Sequence, residues 1–294
     1  MAKTILDCIG NTPLVKAQRI IKSSRVELLL KLEGHNPGGS VKDRAAYQMI
    51  RSALDKKNIT SKTKLIEATS GNTGIALAMI ANLFGLDIEL VMPENATKER
   101  VQTMRAYGAK VTLTPSDDGI EGSRDYAEAK VVNENYFMLN QFGNHDNWKA
   151  HYKTTGPEIW KDTNGRVTHF VSSMGTTGTI MGTSTYLKEK NTDIQIVGVQ
   201  PTDESNIPGI RKWPEAYLPK IFDRSKVDQI IEVSEQDARE MAKILSREEG
   251  VFSGMSSGGA VTAALKLAET LNEGVIVCII CDRGDRYLSS GLFD

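Results

Sequence analysis

Apolar runs typical of β-strands alternate with helix-like segments along this chain of 294 residues. The runs are rich in Val, Ile and Leu and are bounded by turn residues, which favours buried strands. Strands that alternate with helices are typical of parallel α/β construction. The predicted strands lie at residues 63–68, 88–92, 109–114, 136–142, 167–172, 194–199 and 275–281.

The segment at residues 73–84 is apolar nearly all round, so it predicts a helix that is buried against a sheet. Residues 140–147 are polar and predict a connection between a smaller central domain and a larger one. At roughly 150 residues per domain, the length of the chain suits two domains or one large α/β unit.

The composition is that of an ordinary globular protein, with 40% apolar and 25% charged residues. A net charge of -1 and a pI near 6.5 give no general attraction to nucleic acid or anionic membranes. The N-terminal residues lack the pattern of a signal peptide, and no apolar run approaches the ~18 residues of a membrane span. We therefore expect a cytoplasmic protein whose small anionic ligands are held by local groups.

The cysteines and histidines predict neither a disulfide framework nor a metal site. Cys278 and Cys281 match C-x-x-C, but they lie in a strand pattern, where positions i and i+3 face opposite sides about 10 Å apart. His145 and His151 have no neighbouring cysteine ligands, so they are interpreted as polar loop residues.

Lys42 stands at the head of a helix-patterned segment, in the run Asn-Pro-Gly-Gly-Ser-Val-Lys-Asp-Arg at residues 36–44. Ser40 and Asp43 have the spacing of a capping box, which predicts that the helix begins at Val41. The helix dipole disfavours a cation in that first turn, but it supplies only ~1 to 2 kcal/mol. Burial or a covalent Schiff base must supply the rest. A lone lysine is more often a solvated helix residue, so this interpretation depends on two further motifs.

The first of these motifs is Thr-Ser-Gly-Asn-Thr-Gly at residues 69–74, between a predicted strand and the apolar helix. Its amides and hydroxyls converge on a helix N-terminus, which suits a carboxylate. An ordinary N-cap needs one hydroxyl residue, whereas this loop has four small polar residues and two glycines.

The second motif is Ser-Ser-Met-Gly-Thr-Thr-Gly-Thr at residues 172–179, again between a strand and a helix. Glycines let the backbone approach a phosphate, and threonines add hydroxyl donors. The loop matches neither G-x-x-x-x-G-K-[ST] nor G-x-G-x-x-G, so a phosphate monoester fits better than a nucleotide. A glycine-rich turn without a ligand is the competing interpretation for this motif alone.

Together, the lysine, the carboxylate loop and the phosphate loop describe an enzyme that uses pyridoxal phosphate on an amino acid. Over nearly its whole length the chain resembles the fold-type II pyridoxal phosphate enzymes, and most closely the O-acetylserine sulfhydrylases (cysteine synthases) of the B type. Further matching motifs lie at residues 9–14, 154–160 and 284–289. The resemblance implies two domains, each with a mostly parallel sheet flanked by helices. The smaller, mobile domain (36–147) would bind the substrate carboxylate, and the larger one (1–35 and 148–294) the cofactor phosphate.

The resemblance also implies roles for individual residues. Lys42 would hold the cofactor covalently and then act as base for the α-proton. Asn72 would bond the cofactor ring hydroxyl; either Cys281 or Asp282 would lie nearest the ring nitrogen, and the register favours Cys281. The other implied cofactor contacts are Gly175, Thr176, Thr177, Gly178, Thr179 and Ser256. The implied substrate contacts are Thr69, Ser70, Gly71, Thr73, Gln141, Arg211 and Asp282.

The implied reaction is β-replacement, which makes L-cysteine from O-acetyl-L-serine and sulfide in a homodimer. Two features are similar to the B type, Ile-Pro-Gly-Ile-Arg-Lys-Trp-Pro at residues 207–214 and Cys-Asp-Arg at 281–283. They imply that thiosulfate also serves, giving S-sulfocysteine, although Arg211 could equally be a surface residue. The alternatives are another fold-type II enzyme, such as cystathionine β-synthase, threonine synthase or serine/threonine dehydratase, or a cofactor-binding paralogue that binds another protein.

Overall fold

The computed structural model describes residues 3–69 and 71–294, and in this part of the chain ten strands form two sheets. The larger sheet has the order β1-β2-β10-β7-β8-β9, and the smaller sheet has the order β5-β4-β3-β6. Among the strand pairs of residues 3–69 and 71–294, only β1–β2 is antiparallel. The prediction of an α/β fold with mostly parallel sheets is therefore confirmed.

The strands and helices follow one another as βα units. The strands are β1 Leu14–Lys16, β2 Val26–Leu32, β3 Lys64–Ala68, β4 Ile88–Pro93, β5 Lys110–Thr114, β6 Tyr136–Met138, β7 His169–Ser173, β8 Gln195–Pro201, β9 Gln229–Val233 and β10 Gly274–Ile280. The helices are α1 Lys42–Asp55, α2 Asn72–Leu83, α3 Lys98–Ala106, α4 Gly119–Asn133, α5 His145–Lys153, α6 Thr155–Asp162, α7 Gly178–Lys190, α8 Glu235–Glu248 and α9 Met255–Ala268. A 3-10 helix follows β10 at Gly284–Ser290.

Each sheet has its own apolar core. Helix α2 is buried along residues 73–81, because its apolar residues meet β4 on one side and α1 on another. Helix α9 is buried in the same way against β10 and β7 of the larger sheet. Both buried helices begin at the carboxyl-terminal edge of a parallel sheet, where ligands of α/β proteins bind.

Some predicted boundaries differ from the structure. The run 136–142 forms a strand only as far as Met138, because Asn140 adopts a left-handed backbone (φ 55°) and starts a turn. Strands β1 and β9 were not predicted, since β1 is only three residues long and neither β1 nor β9 has the long apolar run of a central strand. Among the helices of residues 3–69 and 71–294, none combines the length and apolar character needed to cross a membrane.

Candidate active site

Two adjoining cavities lie where the carboxyl ends of β3, β7 and β10 approach one another. The outer cavity has a volume of about 230 Å³. Residues shared by both cavities are Lys42, Asn72, Gly175, Thr176 and Gly209. The outer cavity alone is bordered by Thr69, Gly71, Thr73, Gln141 and Arg211, and the inner one alone by Thr177, Thr179, Ser256 and Cys281.

Lys42 is the first residue of α1, and it is held beside the end of β10. The backbone N–H of Val41 donates to the carbonyl oxygen of Cys281 at 2.8 Å, and the Lys42 N–H donates to Ser40 Oγ at 3.2 Å. The predicted capping box is not formed, because Ser40 Oγ does not accept the N–H of Asp43, and the helix begins one residue later than predicted. The Asp43 carboxylate accepts the N–H of Gly38 at 2.5 Å and not that of Ser40.

Thr73 and Gln141, both predicted to bind the substrate carboxylate, are in contact. Thr73 Oγ1 donates to Gln141 Oε1 at 2.7 Å. The backbone N–H of Gln141 donates to the carboxylate of Glu67, which is fully buried in β3. Burial raises the pKa of Glu67 to about 7, although backbone N–H groups around residue 140 oppose the shift. Ser70, the remaining polar residue of this loop, lies outside the described residues.

The loop at residues 175–177 has the geometry of a phosphate cradle. Thr177 adopts a left-handed backbone (φ 69°), and its buried Oγ1 has no hydrogen-bond partner among the described residues. Helix α7 begins directly afterwards, at Gly178, so its free N–H groups face the same space. A Cβ on Gly175 would lie 2.7 Å from the carbonyl oxygen of Gly209, which leaves room only for glycine. An unpaired hydroxyl beside a helix N-terminus fits a phosphate group.

Cys281 and Ser256 complete the inner cavity next to Lys42. Burial raises the pKa of the Cys281 thiol to about 11, and the nearby charge of Lys42 only partly offsets this effect. Cys281 is thus a neutral thiol at pH 7. Of the two residues expected near the cofactor ring nitrogen, Cys281 lines the inner cavity and Asp282 lines neither cavity.

Asp282 takes a different position from the one predicted for a substrate contact. Its carboxylate is buried and accepts hydrogen bonds from Asn72 Nδ2 at 2.7 Å and Tyr287 Oη at 2.6 Å. A third, longer bond comes from the N–H of Gly254, at 3.3 Å. Asp282 is thus bonded within the protein and lines neither of the two cavities.

Arg211 borders the outer cavity, beside Trp213. Its guanidinium lies 5.8 Å from the centre of the Trp213 ring, and Trp213 Nε1 donates to the carbonyl oxygen of Gly175 at 2.8 Å. This bond ties the 207–214 segment to the phosphate cradle. Several wall residues of the outer cavity were not predicted from the sequence, namely Arg100, Arg124, Phe142, Trp213 and Tyr287. Trp213 and Tyr287 lie within motifs quoted above, whereas Arg100 in α3 and Arg124 in α4 carry no local sequence signal.

Comparison with known proteins gives the same result along the whole chain. Residues 5–282 match the family PALP, described as pyridoxal-phosphate dependent enzyme. Cysteine synthase B of Pseudomonas aeruginosa is 56% identical, over 99% of this chain and 97% of its own. Cysteine synthase B of Escherichia coli is 54% identical, over 99% and 96%. A crystal structure of cysteine synthase from Entamoeba histolytica covers 100% of this chain and 91% of that one, with a TM-score of 0.93 at 38% identity.

The relatives and the cavity agree on the cofactor. The unpaired Thr177 hydroxyl, the glycines of the cradle and the lysine at the cavity junction are the groups that a phosphorylated aldehyde requires. The match over residues 5–282 and the identities above one half show that this chain belongs to the pyridoxal-phosphate dependent enzymes, and within them to the cysteine synthases.

Proposed function

We propose that this enzyme makes L-cysteine from O-acetyl-L-serine and sulfide. Pyridoxal phosphate, when bound, supplies the electron sink that makes the α-proton of an amino acid acidic. The observation that carries the proposal is the position of Lys42, which borders both the phosphate cradle and the cavity of the substrate loop. A single amine is thus within reach of the cofactor and of the amino acid.

Separate groups of residues bind the cofactor phosphate, the cofactor ring and the substrate carboxylate. Gly175, Thr176, Thr177, Gly178 and Thr179 hold the cofactor phosphate, and Asn72, Ser256 and Cys281 surround its ring. Thr69, Ser70, Gly71, Thr73 and Gln141 bind the substrate carboxylate through N–H and hydroxyl donors and the Gln141 amide.

The proton transfers belong to Lys42. Its amine, once free, would accept the α-proton of the bound amino acid. Acetate leaves the β-carbon, the sulfur donor bonds there, and the Lys42 ammonium returns the proton to the α-carbon. Closing the cavity around the carboxylate would keep water from the reacting carbons. The domain boundaries at residues 36 and 147, and the mobility of the smaller domain, remain predictions.

Replacement of Lys42 tests the proposal directly. We expect Lys42→Ala to lower turnover by at least about 10³-fold, since both covalent attachment and proton transfer are lost. Borohydride reduction of the parent holoenzyme, followed by peptide mass mapping, should place the cofactor on Lys42. Lys31, which is fully buried in an ion pair with Glu158, is the matched control and should carry no label. Label on any other lysine would refute the assignment.

We also propose that thiosulfate serves as a second sulfur donor and gives S-sulfocysteine. Thiosulfate is larger than hydrosulfide and carries two negative charges, so it needs a cation near the β-carbon. Arg211 borders the outer cavity and has no acidic partner within the described chain. A guanidinium binds such an oxyanion through paired N–H donors. The acetate product is the same with either donor.

The donor preference of Arg211→Ala tests this second proposal. The rate constant for addition of the sulfur donor should fall about 10- to 100-fold with thiosulfate and less than about threefold with sulfide. Lys212→Ala is the matched control, because the neighbouring lysine is paired with Asp203 and Glu232. Equal losses for both donors would make Arg211 a structural residue. Absence of S-sulfocysteine from the parent enzyme would remove thiosulfate as a substrate. A cytoplasmic location and a homodimer remain predictions.

A further inference from the structure

The side-chain amide of Asn72 is gripped from both ends by the segment that follows β10. Asn72 Nδ2 donates to Asp282 Oδ2 at 2.7 Å, and Arg286 Nη1 donates to Asn72 Oδ1 at 2.5 Å. These partners lie more than 200 residues away along the chain. They connect the substrate loop of the smaller sheet to the edge of the larger sheet.

We propose that Asp282 and Arg286 are positioning residues that fix which way the Asn72 amide faces. A carboxylate only accepts hydrogen bonds and a guanidinium only donates them. A flipped amide would put its oxygen against Asp282 and its N–H groups against Arg286, so that both contacts would become repulsive. The amide therefore has one allowed orientation, in which the second Nδ2 hydrogen is left for a ligand oxygen in the cavity.

The two gripping residues are themselves held firmly. Asp282 is 1% exposed and is also bonded by Tyr287 Oη and the Gly254 N–H. Arg286 is 7% exposed, and its other terminal nitrogen donates to the carbonyl oxygen of Gly38. Charged groups that are buried and hydrogen-bonded in this way do not rearrange readily. The orientation of Asn72 is therefore set by the protein before any ligand arrives.

The same segment also positions the catalytic lysine. The carbonyl oxygen of Cys281 accepts the N–H of Val41, and Asp282 pairs with Ser40 in an antiparallel bridge. Residues 281–286 therefore contact both the start of α1 and the start of α2. The bonds from Asp282 and Arg286 to Asn72 fix the distance between Lys42 and the Asn72 donor, so loss of either bond should misplace the donor relative to the amine.

This inference rests on the proposed role of Asn72 at the cofactor. The variants that remove the grip are Asp282→Ala and Arg286→Met. We expect each to weaken the binding of pyridoxal phosphate to the apoenzyme, and of O-acetylserine to the holoenzyme, by about 10- to 100-fold. Asp282→Asn keeps an acceptor and Arg286→Lys keeps one donor, so both should return to within about threefold of the parent.

Matched controls come from the same segment. Arg283 and Asp285 form an exposed ion pair with each other, and Asp285 lines neither active-site cavity. Arg283→Met and Asp285→Ala should leave both dissociation constants within about twofold of the parent. If these controls lose as much affinity as Asp282→Ala, the grip on Asn72 is not the cause and the proposal is wrong.

A double-mutant cycle with Asn72→Ala separates positioning from general stability. If Asp282 acts through Asn72, Asp282→Ala should cost less than about threefold when Asn72 is already alanine. A full loss in that background would overturn the proposal. Tyr287→Phe, which removes only one brace on Asp282, gives a milder version of the test if Asp282→Ala does not fold. Cofactor affinity is measured without O-acetylserine, so the cycle remains decisive even if another amino acid is the substrate.

Discussion

The loops that follow β3 and β7 are built alike but held differently. Each leaves the carboxyl end of a parallel strand, contains glycine and hydroxyl residues, and leads into a helix N-terminus. The phosphate cradle after β7 is supported by neutral groups, since Thr176 accepts a bond from the Asn147 amide and Gly175 from the Trp213 ring. The loop after β3 is supported by charged or titratable groups.

The charged or titratable support of the β3 loop acts mainly through two residues, Asn72 and Glu67. Asn72 is gripped by Asp282 and Arg286, while the Glu67 carboxylate holds the backbone of Gln141. The phosphate side also has a buried histidine, His151, but burial lowers its pKa to about 3, so it stays neutral at pH 5 to 8. A rigid loop supported by neutral groups is suited to a cofactor that stays bound during turnover. The amino acid, which enters and leaves, is met by groups that depend on the other sheet.

Gly178→Ala in the phosphate cradle is the test with the largest expected effect on the difference between the two loops. A Cβ on Gly178 would lie 2.6 Å from Cγ of Asn147, so the Asn147 amide would have to move and release Thr176. Overpacking of this kind costs up to about 3 kcal/mol, so we expect cofactor affinity to fall by up to about 100-fold. Reconstitution of the apoenzyme with pyridoxal phosphate measures this loss.

Gly71→Ala in the other loop is the matched control. Its backbone φ is -117°, and a Cβ there would meet no atom within 4 Å. Cofactor affinity should therefore stay within about threefold of the parent. Equal losses of cofactor affinity for Gly178→Ala and Gly71→Ala would show that the two loops do not differ in how tightly they are packed.

The sequence could predict both loops because each follows a buried apolar strand and contains more small polar residues than a helix cap needs. The apolar helix α2 and the position of Lys42 at a helix start were predictable for the same local reason. The bonds from Asn72 to Asp282 and Arg286 were not, because they depend on the order of strands in two sheets. Asp282 was accordingly expected at the substrate, although its carboxylate is already bonded.

A second test uses the titration of Glu67. The native pKa is about 7 and the usual value is 4.5, so the native state binds a proton that the unfolded state has lost. The free energy of unfolding should therefore fall as pH rises from about 4.5 to 7, by about 3 kcal/mol from this residue. Glu67→Gln removes this titration. Its free energy of unfolding should therefore fall less over the same pH range, by up to about 3 kcal/mol.

Denaturant unfolding of both proteins at several pH values between 4.5 and 8 measures the difference. Asp43 also has a pKa raised to about 7 by burial, but it is present in both proteins and cancels. Parallel curves for the parent and Glu67→Gln would mean that Glu67 is ionised throughout this range. The support of the β3 loop would then be no more pH-sensitive than that of the cradle.

A third test removes one hydroxyl from the β3 loop. Thr73→Val keeps the branched shape but loses the bond to Gln141 Oε1 and the proposed bond to the substrate carboxylate. Loss of a charge-assisted bond costs about 1.5 to 3 kcal/mol, so half-saturation with O-acetylserine should rise roughly 10- to 150-fold. Cofactor content should not change. Thr103→Val in α3, which removes a bond to the Glu99 carbonyl, is the control and should alter neither quantity.

The smallest effect is expected at Asn147. Its side chain bonds both to Gln141, which contacts the β3 loop, and to Thr176 of the phosphate cradle. Its Nδ2 donates to the carbonyl oxygen of Gln141 at 2.7 Å and to Thr176 Oγ1 at 3.1 Å. Each neutral bond contributes about 1 kcal/mol, so Asn147→Ala should weaken cofactor and O-acetylserine binding by about fivefold each. The parallel loss distinguishes Asn147 from Thr73, whose replacement affects only the amino acid. If cofactor binding alone weakened, Asn147 would belong to the cradle, and the two loops would be supported independently.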